Sequence, residues 1–392
     1  MPPIAIYASR ILTPHEEIGE GVILVEGSQI TEVGHRDEIR VPSGATDYVA
    51  SGLIVTPGFV DVHIHGAGGH DVMEAEEEAL DSIAATVARH GTTSLLATTV
   101  TAPLEATCRS LEGIVKYIRA HENPQENRPL AAEILGIHLE GPFINLERRG
   151  VHPRNAIARP SRESLDKLLK AGDGLVKIVT LAPEVPGAME LIEAAAAAGV
   201  VVAMGHTDAD YEQARAAIRA GARHAVHTYN AMRPFSHRDP GILGAIMTDP
   251  EVTAEIIADG VHVAEAAIQV LIGVKGFDTV LLVTDGIAAT GMRDGNCRLG
   301  DFEVTVKDGI ARNSEGKLAG STLTLDRALR NLVGLGAPLI EAVRMATLHP
   351  ARRLGLGGKK GVIAPGADAD LVALTPDLRV AGVMTRGVGL PQ

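Results

Sequence analysis

Histidines and carboxylates recur at the ends of short apolar segments along this chain. In order they are His63 and His65 in DVHIHG, Glu140 in IHLEG, His206 in MGHTD, His227 in VHTYN and Asp285 in VTDG. Imidazole and carboxylate groups are the ligands that Zn²⁺, Fe²⁺ and similar divalent ions take from proteins. His63 and His65 are two residues apart, so on a strand both side chains face the same side. If the fold brings these groups together, they predict a site for one or two divalent ions.

The segments that carry these residues read as buried β-strands, because their apolar runs are nearly continuous. The eight candidate strands are 60–64, 93–98, 133–139, 177–181, 200–204, 224–228, 254–257 and 280–283. Helical stretches lie between most of them, at 74–90, 104–121, 161–171 and 188–199. The alternation of strands and helices is typical of an α/β fold with a parallel sheet.

Eight strands with helical crossovers predict a (β/α)8 TIM-like barrel over residues 58–357. An open, doubly wound sheet is the alternative, but a glycine-rich dinucleotide fingerprint and a Walker loop are both missing from the sequence. In a barrel the carboxyl ends of all strands meet at one mouth. The barrel therefore predicts that the six metal-type residues converge.

The two ends of the chain have a different pattern from the middle. Residues 1–57 and 358–392 are rich in β-formers, and Gly27-Ser28 is typical of a hairpin turn. We expect both ends to build one small β-sandwich domain beside the barrel.

Composition excludes several classes of function. The 15 histidines outnumber the 5 Phe and 5 Tyr, and Trp is absent, so stacking platforms for bases or sugars are scarce. The net charge of −13 argues against a nucleic-acid partner. Cys108 and Cys297 are far apart in sequence, which disfavours both a disulfide framework and a thiolate zinc site. The first residues do not read as a signal peptide and no apolar run is long enough to span a membrane, so we expect a cytoplasmic protein without a membrane partner.

Taken together, the motifs resemble the amidohydrolase superfamily and, within it, the N-acetylglucosamine-6-phosphate deacetylase family. They are PGFVDVHIHG at 57–66, HLEGPF at 138–143, MGHTDA at 204–209, HTYNAM at 227–232, ADGVH at 258–262, VTDG at 283–286 and LAGSTLTLDRA at 318–328. The resemblance extends over nearly the whole chain. It implies hydrolysis of the acetamide of N-acetyl-D-glucosamine 6-phosphate to D-glucosamine 6-phosphate and acetate, in amino-sugar catabolism or recycling.

The resemblance also implies a ligand set. Glu140, His206 and His227 would hold the main metal ion, and His63 with His65 would allow a second. Several branches of the superfamily place a carboxylated lysine after the fourth strand, whereas this chain has LAPE there, which favours the deacetylase branch over the dihydroorotase type. Zinc is the first expectation for the metal, and Fe, Co, Mn or Ni also suit such ligands.

The remaining expectations concern chemistry and substrate. We expect Asp285 to accept a proton from water and pass it to the leaving nitrogen. The resemblance implies that His152 contacts the acetyl group and that His262 and Arg238 contact the phosphate and sugar. Arg238 would reach into the site of a neighbouring subunit, which implies a homodimer. Further positions of the substrate-binding segments are Val151, Asn230, Ala231, Leu318, Ala319 and Gly320.

Three other readings stay open from the sequence. One is a deacetylase for the galactosamine 6-phosphate epimer, and another is an adenine-deaminase-like amidohydrolase. The third is a metal-binding or regulatory protein without catalytic activity on the same barrel.

Overall fold

A computed structural model describes residues 2–122, 129–300 and 302–390. Met1 and residues 391–392, which belong to the predicted terminal domain, lie outside the described residues. The strands are β1 (Ile4–Leu12), β2 (Glu17–Glu26), β3 (Gln29–His35), β4 (Thr46–Pro57), β5 (Phe59–Ile64), β6 (Gly66–Ala67), β7 (His70–Asp71), β8 (Thr92–Thr99), β9 (Glu133–Glu140), β10 (Val176–Leu181), β11 (Val201–Met204), β12 (Ala222–Ala225), β13 (Thr253–Ile256), β14 (Val280–Leu282), β15 (Gly295–Leu299), β16 (Phe302–Lys307), β17 (Ile310–Asn313), β18 (Leu371–Leu374), β19 (Val380–Thr385) and β20 (Val388–Gly389). The helices are α1 (Glu77–Ala88), α2 (Leu104–Ala120), α3 (Arg162–Ala171), α4 (Ala188–Ala197), α5 (Tyr211–Ala220), α6 (Gly241–Thr248), α7 (Glu265–Lys275), α8 (Leu325–Gly334), α9 (Leu339–Ala346) and α10 (Leu348–Arg353).

Eight of these strands form one parallel sheet in the order β5-β8-β9-β10-β11-β12-β13-β14. Each strand pairs with the next one along the chain, so the order contains no reversal and the doubly wound alternative is wrong. A parallel bridge joins Ile64 to Gly286, and the backbone N–H of His65 donates to the Gly286 carbonyl at 2.7 Å. The sheet therefore curls until the end of its first strand meets the segment that follows its last.

The apolar runs form strands that are covered on both sides. Every residue of β5 and of β8 is buried. Two of the helices between strands begin at a side-chain cap: Ser161 accepts the Ser164 backbone N–H at the start of α3, and Asp210 accepts the Gln213 backbone N–H at the start of α5. The barrel strands predicted from sequence are confirmed within a few residues at each end.

Both ends of the chain meet in a second sheet of seven strands, in the order β20-β19-β18-β4-β1-β2-β3. β18 pairs antiparallel with β4, and β1 pairs in parallel with β4. Ile6, Ile23 and Leu371 are fully buried in the apolar cluster of this sheet. The two termini do combine, whereas their arrangement as a sandwich stays a prediction.

A three-stranded meander, β15-β16-β17, follows the last barrel strand and was not predicted. Leu299 and Val304 of the meander share an apolar cluster with Ile287 and Ala319, against which Val151 packs. The meander thus lies against the segments predicted to line the substrate site. Among the described residues, no helix combines the length and hydropathy needed to cross a membrane.

Candidate active site

The Glu140 carboxylate, at the end of β9, lies at the centre of five imidazoles. Its Oε1 atom lies 3.0 Å from Nε2 of His227, 3.1 Å from Nε2 of His206 and 3.3 Å from Nε2 of His63, and its Oε2 atom lies 3.3 Å from Nε2 of His65 and of His152. All six residues are buried. The curled sheet therefore brings together groups that are up to 164 residues apart in sequence, since they span His63 to His227.

Asp285 follows β14 and completes a second group beside the first. Its Oδ1 atom lies 3.2 Å from Nε2 of His65 and 3.7 Å from Nε2 of His63. The ligand atoms of His63, His65 and Asp285 all lie within 4.8 Å of one another. Glu140 and the two histidines that follow β11 and β12 form the neighbouring group. The five predicted ligands and the predicted catalytic residue Asp285 thus converge in two adjoining sets.

Hydrogen bonds on the outer ring nitrogens set how three of these imidazoles face the site. Nδ1 of His65 lies 3.2 Å from the Thr98 carbonyl oxygen and Nδ1 of His206 lies 3.0 Å from the Arg148 carbonyl oxygen. Nδ1 of His63 lies 2.7 Å from the Glu255 carboxylate. Each acceptor holds a proton on Nδ1, which leaves the Nε2 lone pair directed at the site. Nε2 of His63 is buried and, among the described residues, has no hydrogen-bond partner. These residues fit a divalent ion.

His152 has the opposite arrangement. The backbone N–H of Thr101 donates to its Nδ1 atom at 3.2 Å, so in the neutral ring the proton lies on Nε2. A protonated Nε2 donates a hydrogen bond and cannot ligate a metal. His152 is therefore suited to contact an oxygen atom of a substrate.

Charge balance in the site couples cation binding to proton release. Burial lowers the pKa of His65, but hydrogen bonds to Asp285 and Glu140 outweigh it and raise that pKa to about 9. Burial raises the pKa of Asp285, but the hydrogen bond with His65 and the charge of His63 bring it below its ordinary value. The two carboxylates therefore attract a positive charge at the imidazole nitrogens, where a metal ion and protons compete.

Three of the converging residues have left-handed backbone conformations. The φ angles are 48° at His206, 28° at His227 and 51° at Asp285. Such angles are uncommon for residues other than glycine and cost of order 1–3 kcal/mol each. They occur just after β11, β12 and β14, where the chain turns to direct these side chains across the mouth.

A cavity of about 150 Å³ opens over the carboxylate and the imidazoles. The predicted site residues that line it are His65, Glu140, Val151, His152, His206, His227, Asn230, Ala231, His262, Asp285, Leu318 and Gly320. Val100, Gly150 and Leu299 also line it, and sequence reasoning missed them. Gly150 has φ 58°, and a Cβ there would lie 3.3 Å from Cε1 of His206, which explains the glycine.

Three predicted residues are not part of the cavity wall. His63 lies beneath it, fully buried. Ala319 is also fully buried and packs in the apolar cluster of the meander. Arg238 is exposed in the segment between β12 and α6, and the cavity of the single chain does not include it.

His262 lies in the cavity wall, where its ring is paired with a carboxylate. Its Nδ1 atom lies 2.7 Å from the Asp259 carboxylate. Burial lowers the pKa of His262, but the hydrogen bond and the charge of Asp259 outweigh it, so the pKa is raised.

Asn230 lines the cavity as predicted. Its backbone N–H donates to the His227 carbonyl at 2.9 Å and is therefore already engaged within the protein.

Sequence reasoning also missed Glu255, in β13. Its carboxylate is fully buried and contacts both the His63 ring and Nε2 of His224, the latter at 2.9 Å. The available signal was one acidic residue inside the apolar segment TAEI. A carboxylate at such a position is almost never fully buried unless it is paired.

The fold and the site together define a class, the barrel hydrolases that hold metal ions with histidines and carboxylates at the strand ends. The model of the Amidohydrolase family matches residues 54–389. An N-acetylglucosamine-6-phosphate deacetylase of Vibrio furnissii is 37% identical over 97% of this chain and 93% of its own. An N-acetylgalactosamine-6-phosphate deacetylase of Escherichia coli O157:H7 is 39% identical over 88% of this chain and 90% of its own.

A solved structure shows the same likeness. It is the D267A mutant of N-acetyl-D-glucosamine-6-phosphate deacetylase from Mycobacterium smegmatis in complex with N-acetyl-D-glucosamine-6-phosphate, with TM-score 0.92, 38% identity and 100% of both chains covered. The chain therefore belongs to the amidohydrolase family and, within it, to the N-acetylhexosamine-6-phosphate deacetylases.

Proposed function

We propose that this protein hydrolyses the acetamide of N-acetyl-D-glucosamine 6-phosphate, giving D-glucosamine 6-phosphate and acetate, as a step of amino-sugar catabolism or recycling. The observation that carries the proposal is the convergence of the Glu140 carboxylate, the imidazoles around it and Asp285 on one small cavity. An amide needs help both for attack on its carbonyl and for departure of its nitrogen, and this cavity has groups for both.

We assign the main divalent ion to Glu140, His206 and His227, and a second to His63, His65 and Asp285. Zinc is our first choice, and Fe, Co, Mn and Ni suit the same donors. When bound, a divalent ion lowers the pKa of its water from about 15.7 toward about 7 and polarises the carbonyl.

The protein's own groups complete the reaction. The Asp285 side chain is 13% exposed and has a lowered pKa, so at neutral pH it is ionised and accepts the proton of the attacking water. The protonated carboxyl then gives this proton to the departing nitrogen. His152 donates its Nε2 hydrogen to the carbonyl oxygen, where negative charge develops.

Recognition of the phosphate needs positive charge. His262 lies in the cavity wall and its raised pKa favours the cation. We propose that Arg238 of a second subunit supplies a guanidinium in a homodimer, since Arg238 is exposed and outside the cavity of its own chain. Val151, Leu318 and Gly320 line the wall and would contact the sugar.

Two further assignments stay predictions. One is the division into a barrel at 58–357 and a β-sandwich domain at 1–57 and 358–392. The other is a cytoplasmic location.

The second candidate substrate is the galactosamine epimer. It is favoured by the 39% identity to a deacetylase that acts on N-acetylgalactosamine 6-phosphate. An adenine-deaminase type of activity is disfavoured, because the described cavity wall has no Phe or Tyr on which a base would stack.

A turnover panel with metal analysis tests the proposal. Purified protein is given N-acetylglucosamine and N-acetylgalactosamine, each with and without 6-phosphate, and release of free amine is measured. We expect turnover of the glucosamine phosphate, loss of it with a chelator and recovery with Zn²⁺. Equal turnover of the sugar without phosphate would refute the phosphate roles of His262 and Arg238. Release of amine from none of the four would refute the proposed function.

A further inference from the structure

Glu255 belongs to none of the predicted ligand sets, yet it is bonded to residues of both. It lies in β13 and its side chain is fully buried. Its Oε2 atom lies 2.7 Å from Nδ1 of His63 and accepts the backbone N–H of His227 at 3.0 Å. Its Oε1 atom lies 2.9 Å from Nε2 of His224, whose other ring nitrogen lies 2.7 Å from the Thr253 hydroxyl. Both carboxylate oxygens thus have partners, which is what a buried charge requires.

The contact with His63 differs from those of the other inward-facing imidazoles. The outer nitrogens of His65 and His206 are held by neutral backbone carbonyls. Only His63, of these three, is held by a carboxylate. A carboxylate fixes the ring orientation and makes the ligating nitrogen more basic, and its loss typically weakens metal affinity 10–100-fold. The Nε2 atom that Glu255 orients is buried and has no hydrogen-bond partner among the described residues, although the Glu140 and Asp285 carboxylates lie 3.3 and 3.7 Å away.

We propose that Glu255 is a positioning residue for a second divalent ion, which it secures by holding His63 as a ligand beside His65 and Asp285. This inference rests on the proposed function only for the existence of a metal site. It requires that each chain binds two ions and that the affinity for the second ion depends on the Glu255 carboxylate. Of the first ion's ligands, His206 is held from elsewhere. His227 meets Glu255 only through its backbone N–H, which the amide oxygen of a glutamine can still accept, so the first ion does not need the Glu255 charge.

The chain supplies a matched control in Asp61. This carboxyl group is also fully buried beside His63, but it meets the backbone of His63 and not its ring. Its Oδ1 atom accepts the backbone N–H groups of His63, at 3.2 Å, and of Thr284, at 3.4 Å, and its Oδ2 atom accepts the Thr284 hydroxyl, at 2.6 Å. Asp61→Asn therefore disturbs an equally buried carboxyl without touching the His63 ring.

The test measures binding of Co²⁺ to metal-free full-length protein, by elemental analysis and by the visible absorption of bound Co²⁺. We expect two ions in the wild type. Glu255→Gln should bind the first ion with wild-type affinity and the second about 10–100-fold more weakly. Glu255→Asp, which keeps the charge but shortens the side chain, should fall between the two, and Asp61→Asn should bind both ions like the wild type.

A double-variant cycle separates positioning from general damage. If Glu255 acts through His63, Glu255→Gln added to His63→Asn weakens the second ion no further than His63→Asn alone. Four results would each overturn the inference. The double variant could bind the second ion more weakly than His63→Asn alone, or Glu255→Gln could bind it with wild-type affinity. Asp61→Asn could lose the same affinity as Glu255→Gln, or the wild type could bind one ion only. None of these readouts needs turnover, so a protein that binds as expected but fails to deacetylate refutes only the proposed function.

Discussion

The Nδ1 atom of His152 accepts a hydrogen bond from the backbone N–H of Thr101, 3.2 Å away. This contact distinguishes His152 from His65 and His206, whose Nδ1 atoms donate to carbonyl oxygens. His152 lies as close to Glu140 as His65 does, and by distance alone it would count as a metal ligand. Its proton position makes it a donor instead.

The first prediction follows from that difference. His152→Ala should keep the wild-type metal content and lose about 10²- to 10³-fold in kcat, because it removes one donor to the developing oxyanion. Metal analysis and steady-state kinetics on the same preparation measure both. His206→Ala is the contrasting variant, since it should lose metal together with activity. Loss of bound metal in His152→Ala would show that His152 is a ligand.

The second prediction concerns Asp285. Asp285→Asn preserves the size of the side chain but cannot take a proton from water, so kcat should fall about 10²- to 10⁴-fold. KM should change little, because the phosphate and sugar contacts lie elsewhere in the cavity. Full activity in this variant would remove Asp285 from the acid–base role.

The third prediction tests the shared site. Arg238→Ala and Asp285→Asn chains are each expected to be nearly inactive as homodimers. If Arg238 acts across the interface, a mixed dimer holds one intact site, and co-expression in equal amounts should restore about a quarter of wild-type activity. Absence of any recovery in verified mixed dimers would place Arg238 in its own chain's site, and a fully active Arg238→Ala homodimer would place it outside both sites.

The fourth prediction uses Asp326 in α8, away from the metal site. Burial raises the pKa of Asp326, but contacts with His90, Thr324 and Arg330 outweigh it and bring the pKa from 3.8 to about 2. The lowered pKa means that ionised Asp326 stabilises the fold above its unfolded pKa, and this stabilisation is lost as the pH falls toward about 2. The shift corresponds to about 2 kcal/mol.

Asp326→Asn should therefore lower the thermal midpoint at pH 7 and pH 5 by similar amounts. The gap between variant and wild type should narrow at about pH 3.5, where the wild-type carboxylate begins to lose its advantage. Thermal unfolding followed by circular dichroism measures both proteins side by side. A gap that widens on acidification would contradict the assigned pKa direction.

The sequence was sufficient to predict the eight barrel strands and the six converging residues. Strand ends in a parallel barrel share one mouth, so residue type and strand order alone place His63, Glu140 and Asp285 near one another. The same logic could not find Glu255. It lies within its strand rather than after it, and only the three-dimensional pairing of β13 with its neighbours shows that its carboxylate meets His63 and His224.

The position of Arg238 was beyond sequence reasoning for another reason. Its segment between β12 and α6 has no strand end or helix cap that would direct the side chain, and the structure leaves Arg238 exposed. The meander β15-β16-β17 was missed because GNCRL and FEVTVK are short alternating runs, half polar, inside a region predicted as barrel. Its packing against Ala319 explains why that residue is buried rather than in contact with the cavity.

The seven-stranded sheet has a consequence for how the protein is made. β18 pairs with β4 through Leu371 and Pro57, which are more than 300 residues apart in the chain. On the ribosome, β1 to β4 emerge early with one edge of β4 unpaired, and the whole barrel is synthesised before its partner arrives. An unpaired edge of this kind is prone to intermolecular association. We therefore expect the yield of folded protein to depend on synthesis speed and on chaperone access to the β4 edge.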